Sequence, residues 1–568
     1  MKKVILQIGR LLTPVALVLL LTATAHAAVP GITGGTTGPT GAAAFSLTAQ
    51  EGYLNQPDGA AVYAWGYGCS SAPADFLPHA IGGATCPTMQ VPAPTLIVWE
   101  GNTVTITLTN NLPTAAGNTS ILFPGLNAAS SCPASATAGA PQQGLLTCEA
   151  VPGGSVTYNL SGLTPGTHAY YSGTQGDLQI EMGLYGAIVV LPSAPPANCS
   201  NANTVTNLYG KPDYGSSHSI AGFPEQDFRL STAAYDHPRS CYDREYLFQW
   251  SEMDSRIHHQ AEAQVRATQA SGVCLTAGNS ACSLNVQTEP YHPGYYLING
   301  RSMPDLMDPN YAAEYPHQPY NGNPHMHPGE LTLVRTIGQG RWQHPFHEHA
   351  NHVRILARDG NLVLSATNPA QNLAGLLMFN TDTTPGEAFD GIFYFTGRGL
   401  NWDAYGHHPS PNRPGDPIDA NAYPGCTPDA NGYNTAVPAR TQVNYYEWCQ
   451  DHNKPLQVNP FGDVNSGGPA TLPDPGILTN GAWYGGTPYL GPDASLRATV
   501  PACDTTVNAG CTTLQPANTQ ANPQNERGWA FMWHSHNERE ITTNNVFPGG
   551  MLMMMLVDSR EFPIDESL

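Results

Sequence analysis

Polar and apolar residues alternate along much of the chain, and the pattern is clearest in TVTITLTNNL, which begins at Thr103. Val104, Ile106 and Leu108 share one side of that stretch, a period of two that is typical of a half-buried β-strand. Comparable runs occur in GSVTYNLSGL, LYGAIVVLP, DREYLFQWSEM, GYYLINGRSMPD, GELTLVRTIG and HVRILARDGNLVL. Helical periodicity is sparse, and SRIHHQAEAQVRAT is the best helix candidate. The pattern predicts an all-β chain of at least two β-sandwich units.

Two stretches interrupt the strands and suggest how the chain divides. PSAPPANCSNAN reads as a linker because it is rich in Pro, Ala and Asn. Residues 401–525 are rich in Pro, Gly, Asn and Asp, and the cysteines among them favour an ordered, stapled insertion. We expect a first unit over residues 28–195, a linker over 196–240, and a second unit over 241–568 that contains the insertion. The alternative division has three units, over about 30–195, 205–335 and 336–568.

The N-terminus has the features of a secretory signal peptide over residues 1–27. Lys2, Lys3 and Arg10 give it a positive start, an apolar run follows, and AHA at Ala27 is a small-residue cleavage site. This predicts a secreted protein, located in a periplasm, outside the cell or at its surface. No later segment is long and apolar enough for a transmembrane helix. The formal net charge of −21 argues against nucleic acid as a partner.

The chain has 12 cysteines and none of them forms a CxxC pair. In an exported protein such cysteines indicate disulfides. Sequential pairing is the prediction, although other connectivities are open: Cys69 with Cys86, Cys132 with Cys148, Cys199 with Cys241, Cys274 with Cys282, Cys426 with Cys449, and Cys503 with Cys511.

Two short motifs carry candidate metal chemistry: RWQHPFHEHANHVRIL and AFMWHSHNERE. Residues two apart on a strand point the same way, so His347 and His349 share a face, as do His534 and His536. If the two strands are neighbours, four imidazoles converge. Imidazole suits copper, zinc, nickel and iron, so the ligand type alone does not select the metal.

These motifs resemble those of the multicopper oxidase family. HPFHEHANH is similar to the family's HPxHxHG signature, and WHSH followed by PGGM is similar to its HCH…H…GM signature. VPAPTLIVWEGNTVTITLTNNLP, GTHAYYSGTQGDLQIEMGLYGAIVV and LINGRSMPD resemble other family landmarks. The resemblance runs from about Val91 to Val557. It implies an all-β fold of tandem cupredoxin-like Greek-key β-sandwich domains with a long Pro/Gly-rich insertion.

The resemblance also implies two copper assemblies, and the chain departs from both. The family's trinuclear cluster takes eight histidines, four from each half. In the first half the corresponding positions hold Leu122, Pro124, Tyr171 and Gly173. In the second half His347, His349, His534 and His536 remain. We therefore expect these four histidines to be the main metal ligands.

The type 1 copper of the family takes two histidines, a cysteine and often a methionine. His344 remains at one histidine position, Ser535 replaces the cysteine, and Glu540 stands at the second histidine position. Met551 falls at the axial position. His344 is thus a less favoured metal ligand that could simply pair with Glu540. A serine hydroxyl cannot replace a thiolate as a strong copper ligand, so complete laccase-type catalysis is not expected.

Two functions follow from this depleted ligand set. The first is a secreted, multicopper-oxidase-like copper-binding protein with a reduced histidine site and limited oxidoreductase activity; zinc is the second choice of metal. The second is a non-catalytic structural, assembly or binding protein that keeps the cupredoxin fold. Neither the substrate nor a redox partner can be read from the sequence, and a homo-oligomer is compatible with it. The methionines of Met553–Met555 alternate between the two faces of a strand, so core packing is expected rather than Cu(I) binding.

Overall fold

The computed structural model describes residues 29–79, 81, 83–134, 139–199, 229–276, 278–327, 329–395, 487–489, 528–558 and 564. Within these residues the protein is mostly β-sheet with few helices, which confirms the all-β prediction. The predicted signal peptide, the middle of the linker and almost all of the predicted insertion lie outside the described residues. None of the helices in the described ranges is long and apolar enough to cross a membrane.

The first half of the described chain contains twelve strands and one short helix. The strands are β1 (Gly31–Thr33), β2 (Ala42–Asn55), β3 (Ala61–Cys69), β4 (Asp75–Leu77), β5 (Leu96–Trp99), β6 (Thr103–Asn110), β7 (Asn127–Ser130), β8 (Gln142–Gln143), β9 (Cys148–Glu149), β10 (Ser155–Ser161), β11 (Gly166–Tyr171) and β12 (Tyr185–Leu191). The helix is α1 (Gly176–Gln179), and 3₁₀ turns lie at Thr114–Ala116 and Ala197–Cys199.

These strands form two five-stranded sheets, in the orders β11-β12-β5-β1-β4 and β3-β2-β6-β10-β7, and β8 pairs with β9. The predicted alternation appears in β6, where Val104, Ile106 and Leu108 are buried and the residues between them are not. Apolar residues from both sheets fill a shared core, because each sheet can bury only one face against the other.

The second half of the described chain contains thirteen strands and one long helix. The strands are β13 (Arg244–Met253), β14 (Tyr295–Ile298), β15 (His325–Met326), β16 (Leu331–Gly338), β17 (Pro345–Glu348), β18 (Val353–Arg358), β19 (Asn361–Leu362), β20 (Leu377–Met378), β21 (Asn380–Asp382), β22 (Ala388–Tyr394), β23 (Thr487–Tyr489), β24 (Gly528–Ser535) and β25 (Leu552–Asp558). The helix is α2 (Ser255–Ser271), and 3₁₀ turns lie at Val273–Leu275 and Asp305–Met307.

A seven-stranded and a six-stranded sheet make up this half. The first has the order β14-β13-β16-β22-β18-β19, with β20 beside β18. The second has the order β15-β25-β24-β17-β21, with β23 beside β24; we call it the histidine sheet because β17 and β24 carry the paired histidines. An aromatic core that includes Phe248, Trp250, Phe346, Phe393 and Trp533 lies between the two sheets.

The helix predicted from SRIHHQAEAQVRAT is confirmed as α2. Asp254 caps its first turn by accepting a hydrogen bond from the backbone N–H of Arg256 at 3.0 Å, and Gly272 ends it in the left-handed conformation. Ile257, Ala261 and Val265 are buried at a spacing of four residues. They join the core of the first half, so α2 ties the two halves together.

Four of the predicted disulfides are confirmed: Cys69–Cys86, Cys132–Cys148, Cys199–Cys241 and Cys274–Cys282. The other two predicted pairs lie outside the described residues. The division into domains stays a prediction. It is relevant that β13, β14 and β16 share one sheet with β18 and β22, because the three-unit alternative would separate those strands near residue 336.

Candidate metal centre

The two histidine motifs lie on neighbouring antiparallel strands of the histidine sheet. In the register of β17 and β24, His347 lies directly opposite His534, and Glu348 lies opposite Trp533. The pleat then sends the side chains of each strand alternately to the two faces. Phe346 and Trp533 enter the aromatic core. The histidines occupy the other face, which we call the outer face.

The structure brings the four predicted histidines together on that face. Ring centroids of His347 lie 4.8 Å from His349, 5.3 Å from His534 and 4.6 Å from His536. One ring nitrogen from each of His347, His349 and His534 lies within 4.8 Å of the others. His536, the exposed member of the group, completes the cluster. Two HxH motifs more than 180 residues apart along the chain thus present their imidazoles to one small volume.

The environment favours the neutral form of two of these imidazoles, His347 and His534. Burial, together with the neighbouring imidazoles of His349, His534 and His536, lowers the pKa of His347 to about 3. Burial also lowers the pKa of His534. The Nδ1 of His534 lies 2.7 Å from the carbonyl oxygen of Ser535, which can only accept, so Nδ1 carries the proton. The lone pair of His534 is then on Nε2, which is 3.2 Å from Nε2 of His349. Neutral imidazoles with an oriented lone pair are the form that binds metals.

His344 stands apart from this cluster and is surrounded by carboxylates. Its Nδ1 lies 2.9 Å from Oε2 of Glu540, and its Nε2 lies 2.8 Å from Oε2 of Glu252. Ser535 donates its hydroxyl to the same oxygen of Glu540. All four side chains are buried. His344 therefore does pair with Glu540, the alternative to a role as a metal ligand, and Glu252 is a second partner.

The charge of this group follows from its hydrogen bonds. Oε1 of Glu252 accepts from the backbone N–H groups of Arg341 and Trp342, at 2.7 and 2.9 Å. Oε1 of Glu540 accepts from the side-chain amide of Asn537 at 2.8 Å. Burial opposes a charge on His344, but hydrogen bonds and attraction from the two carboxylates outweigh it and raise its pKa to about 9. The raised pKa favours an imidazolium between two glutamates at the position that the sequence resemblance assigns to type 1 copper.

Three of the four first-half positions, Leu122, Tyr171 and Gly173, lie next to one another. Leu122 and Tyr171 lie opposite each other in a short antiparallel bridge, joined by a backbone hydrogen bond of 2.8 Å. A Cβ atom placed on Gly173 would lie 2.8 Å from Cγ of Leu122. A histidine at residue 173 would therefore require Leu122 to move. The Leu122 side chain thus occupies the space that a side chain on residue 173 would need.

One family model matches the chain. Residues 85–195, in the first half, match the model described as "Multicopper oxidase". Residues 85–195 are therefore similar to a multicopper oxidase domain. The resemblance stated from the sequence motifs is confirmed, and the multicopper oxidase match implies copper as the metal; zinc receives no support from it.

Solved structures that resemble the chain do so at low sequence identity. A blue copper oxidase from Nitrosomonas europaea is 13% identical in sequence. The alignment covers 91% of this chain and 86% of the oxidase chain, with a TM-score of 0.40. The multicopper oxidase mgLAC is 13% identical with the same coverage and a TM-score of 0.41. A copper nitrite reductase from Nitrosomonas europaea is 15% identical. Its alignment covers 62% of this chain and 85% of the reductase chain, with a TM-score of 0.34. No curated protein sequence matches the chain.

Glu252 is the residue of this region that the sequence did not reveal. Glu252 is the penultimate residue of β13 and lies 92 positions before His344. The stretch around it, FQWSEMD, is an ordinary strand sequence. The available signal was a glutamate within a largely apolar strand sequence, because such a group requires a charged or hydrogen-bonding partner if the strand is buried.

Proposed function

We propose that this protein is a secreted copper-binding member of the multicopper oxidase family in which a single copper site of four histidines replaces the usual two assemblies. The ligands are His347, His349, His534 and His536. The observation that carries the proposal is their convergence, with ring nitrogens of three of them within 4.8 Å of one another. Nitrogen donors in this number suit copper first, because Cu²⁺ has the highest affinity in the divalent series.

The donor set fits one copper ion and does not fit the rest of the family's copper. Four imidazoles are half of what a trinuclear cluster uses, and the first-half positions Leu122 and Gly173 are packed against each other. His344 is held between two carboxylates and Ser535 has no thiolate. We leave His344 out of the proposed ligand set.

Copper bound at such a site supplies a one-electron couple, so limited oxidoreductase activity is part of the proposal. The protein's own residues orient the ligands: the carbonyl of Ser535 fixes the tautomer of His534, and the backbone N–H of His536 donates to the carbonyl of Pro345 at 2.9 Å. This last bond couples the end of one HxH motif to the start of the other. In the family, the cysteine of the HCH motif links the type 1 copper to the trinuclear cluster. Ser535 stands at that position here, so the usual route for electrons from a type 1 copper is missing.

The test is metal binding by the full-length protein after removal of bound metal. Replacing His347 and His536 by Ala should abolish tight Cu(II) binding measured by calorimetry. The loss should exceed the roughly 10–100-fold that removal of a ligand's outer hydrogen-bond partner costs. His259→Ala, which removes an exposed imidazole from α2, is the matched control and should bind like the unaltered protein. Unchanged binding in the double variant would contradict the proposal.

The second candidate is a metal-free structural protein. The observation that favours it is His344, where a ligand position of the family has become part of a buried ion-pair group. If the histidine cluster has undergone the same change, the protein will bind neither copper nor zinc tightly. The double variant would then lose no metal affinity.

A further inference from the structure

The outer face of the histidine sheet carries methionines next to the histidines. On β25, Met553 and Met555 are fully buried in the aromatic core, as expected for a strand that packs through one face. Met554 points the other way and is half-buried, and so is Met532 on β24. Core packing therefore explains only part of the methionine run, and Met554 departs from that expectation.

The strand register places the two outer methionines beside a histidine. Met532 lies directly opposite Met554 in the antiparallel pairing of β24 and β25. On its other side Met532 lies opposite His349, because the pairing of β17 with β24 continues and the N–H of His349 donates to the carbonyl of Met532 at 3.2 Å. His349, Met532 and Met554 thus form one row across three neighbouring strands.

This row is adjacent to the histidine cluster. His347 and His534 form the next row on the same face, with Leu552 on β25 in the position that corresponds to Met554. Side chains directly opposite in an antiparallel pair have Cβ atoms about 4.5–5.5 Å apart, which flexible thioethers can bridge to a common point. His349 lies in the first row and also belongs to the histidine cluster, because its Nε2 is 3.2 Å from Nε2 of His534 in the second row.

We propose that His349, Met532 and Met554 form a binding site for Cu(I). Thioether sulfur is a soft ligand that selects Cu(I), and imidazole binds copper in either oxidation state. Imidazole and thioether donors bring no negative charge, which suits a monovalent ion better than a divalent one in a half-buried place, since less charge has to be neutralised. The inference rests on the proposed function only in that His349 is shared with the four-histidine site.

The site would give the protein two copper environments side by side. The imidazole cluster suits Cu(II), and the His-Met-Met row suits Cu(I). A copper ion delivered in reduced form would be held by the row, at the edge of the cluster. Loss of the two methionines should therefore weaken the binding of Cu(I) and not that of Cu(II), which can be measured without any enzymatic assay.

The experiment titrates Cu(I) into the full-length, metal-free protein, under anaerobic conditions with ascorbate and in competition with bicinchoninate. The variant replaces Met532 and Met554 by Leu, which keeps the apolar volume and removes both sulfurs. The matched control replaces Met553 and Met555 by Leu, which removes two sulfurs from the core face of the same strand. Thermal melting checks that both variants fold.

The outer-face variant should lose at least about ten-fold in Cu(I) affinity, while its Cu(II) affinity and that of the control stay within about two-fold of the unaltered protein. X-ray absorption of the unaltered Cu(I) protein should show sulfur among the copper ligands, and this does not depend on the folding of any variant. Cu(I) affinity unchanged in the outer-face variant, or a copper shell without sulfur, would overturn the inference.

The His347→Ala, His536→Ala variant separates this inference from the proposed function. It should lose Cu(II) binding and keep Cu(I) binding, because His349 and both methionines remain. If it loses both while the methionine variant loses neither, Cu(I) is held by imidazoles alone, and only the Cu(I) site fails. If it keeps Cu(II) binding while the methionine variant loses Cu(I), the proposed four-histidine function fails and the Cu(I) site stands.

Discussion

Ser535 stands where the family resemblance places a copper-binding sulfur, and its surroundings have adapted to a hydroxyl. It donates to Glu540 and accepts from the backbone N–H of Asn537 at 3.2 Å. Glu540 also contacts Nδ1 of His344, and Glu252 holds the same imidazole from its Nε2 side. The raised pKa of His344 favours an imidazolium between these two carboxylates, beside the hydroxyl of Ser535.

The replacement has a spectroscopic consequence. Copper-loaded protein should lack the intense blue band of a His₂Cys copper, because no thiolate is available. Ser535→Cys alone should not restore it, since His344 stays engaged by Glu252 and Glu540. The measurement is the visible absorption spectrum of both proteins with copper bound. A deep blue colour in the unaltered protein would contradict the conclusion that Ser535 takes the place of the copper-binding cysteine.

His344 should make stability depend on pH in the alkaline range. Its folded-state pKa of about 9 is above the ordinary 6.5, so the stabilisation is fully present below about pH 6.5 and is lost as the pH rises through about 9. The shift corresponds to about 3 kcal/mol for this fully buried group. In denaturant unfolding of metal-free protein, the advantage over His344→Gln should shrink by about that amount between about pH 6 and pH 10. An advantage that does not change with pH would show that His344 is uncharged.

At the scale of elements, α2 shows how a local signal and tertiary packing combine. Its helical pattern was visible in the sequence, and its buried stripe is completed by the core of the first half. The capping carboxylate of Asp254 is buried and also accepts from the backbone N–H of His292 at 2.9 Å. One side chain therefore starts the helix and fixes the segment that follows it.

Asp254→Ala should destabilise the protein by about 2 kcal/mol or more, since loss of an N-cap costs about 0.5–2 kcal/mol and a further buried N–H loses its acceptor. Asp254→Asn keeps an oxygen acceptor and should recover part of the loss. Chemical denaturation measures both variants. Equal stability of Asp254→Ala and the unaltered protein would contradict the capping role.

The pairing of β17 with β24 shows what a period of two can and cannot reveal. It correctly predicts that His347 and His349 share a face, as do His534 and His536. The register that puts His347 opposite His534 depends on residues almost two hundred positions apart. The sequence reached that arrangement through the resemblance to multicopper oxidases, and the structure supplies the register itself.

At the scale of the whole molecule, buried polar groups connect the two halves, and this is the part that sequence reasoning missed. Tyr291 donates to Glu181 of the first half at 2.6 Å and to Glu252 at 3.2 Å. Glu252 in turn holds His344. Strands, the helix and the confirmed disulfides follow from local patterns and short spacings along the chain. The pairing of residues in a buried charge network depends on tertiary packing, so a local sequence pattern does not predict it.

The most direct test of the account is the number and kind of copper ions held under oxidising conditions. The full-length protein, loaded with Cu(II) and freed of excess metal, should contain at most one tightly held ion per chain at the histidine cluster. Electron paramagnetic resonance should show one Cu(II) with nitrogen ligands. About three copper ions per chain would show that the first half supplies ligands after all. No copper at all, with His347→Ala and His536→Ala leaving the protein unchanged, would show that the histidine cluster is structural.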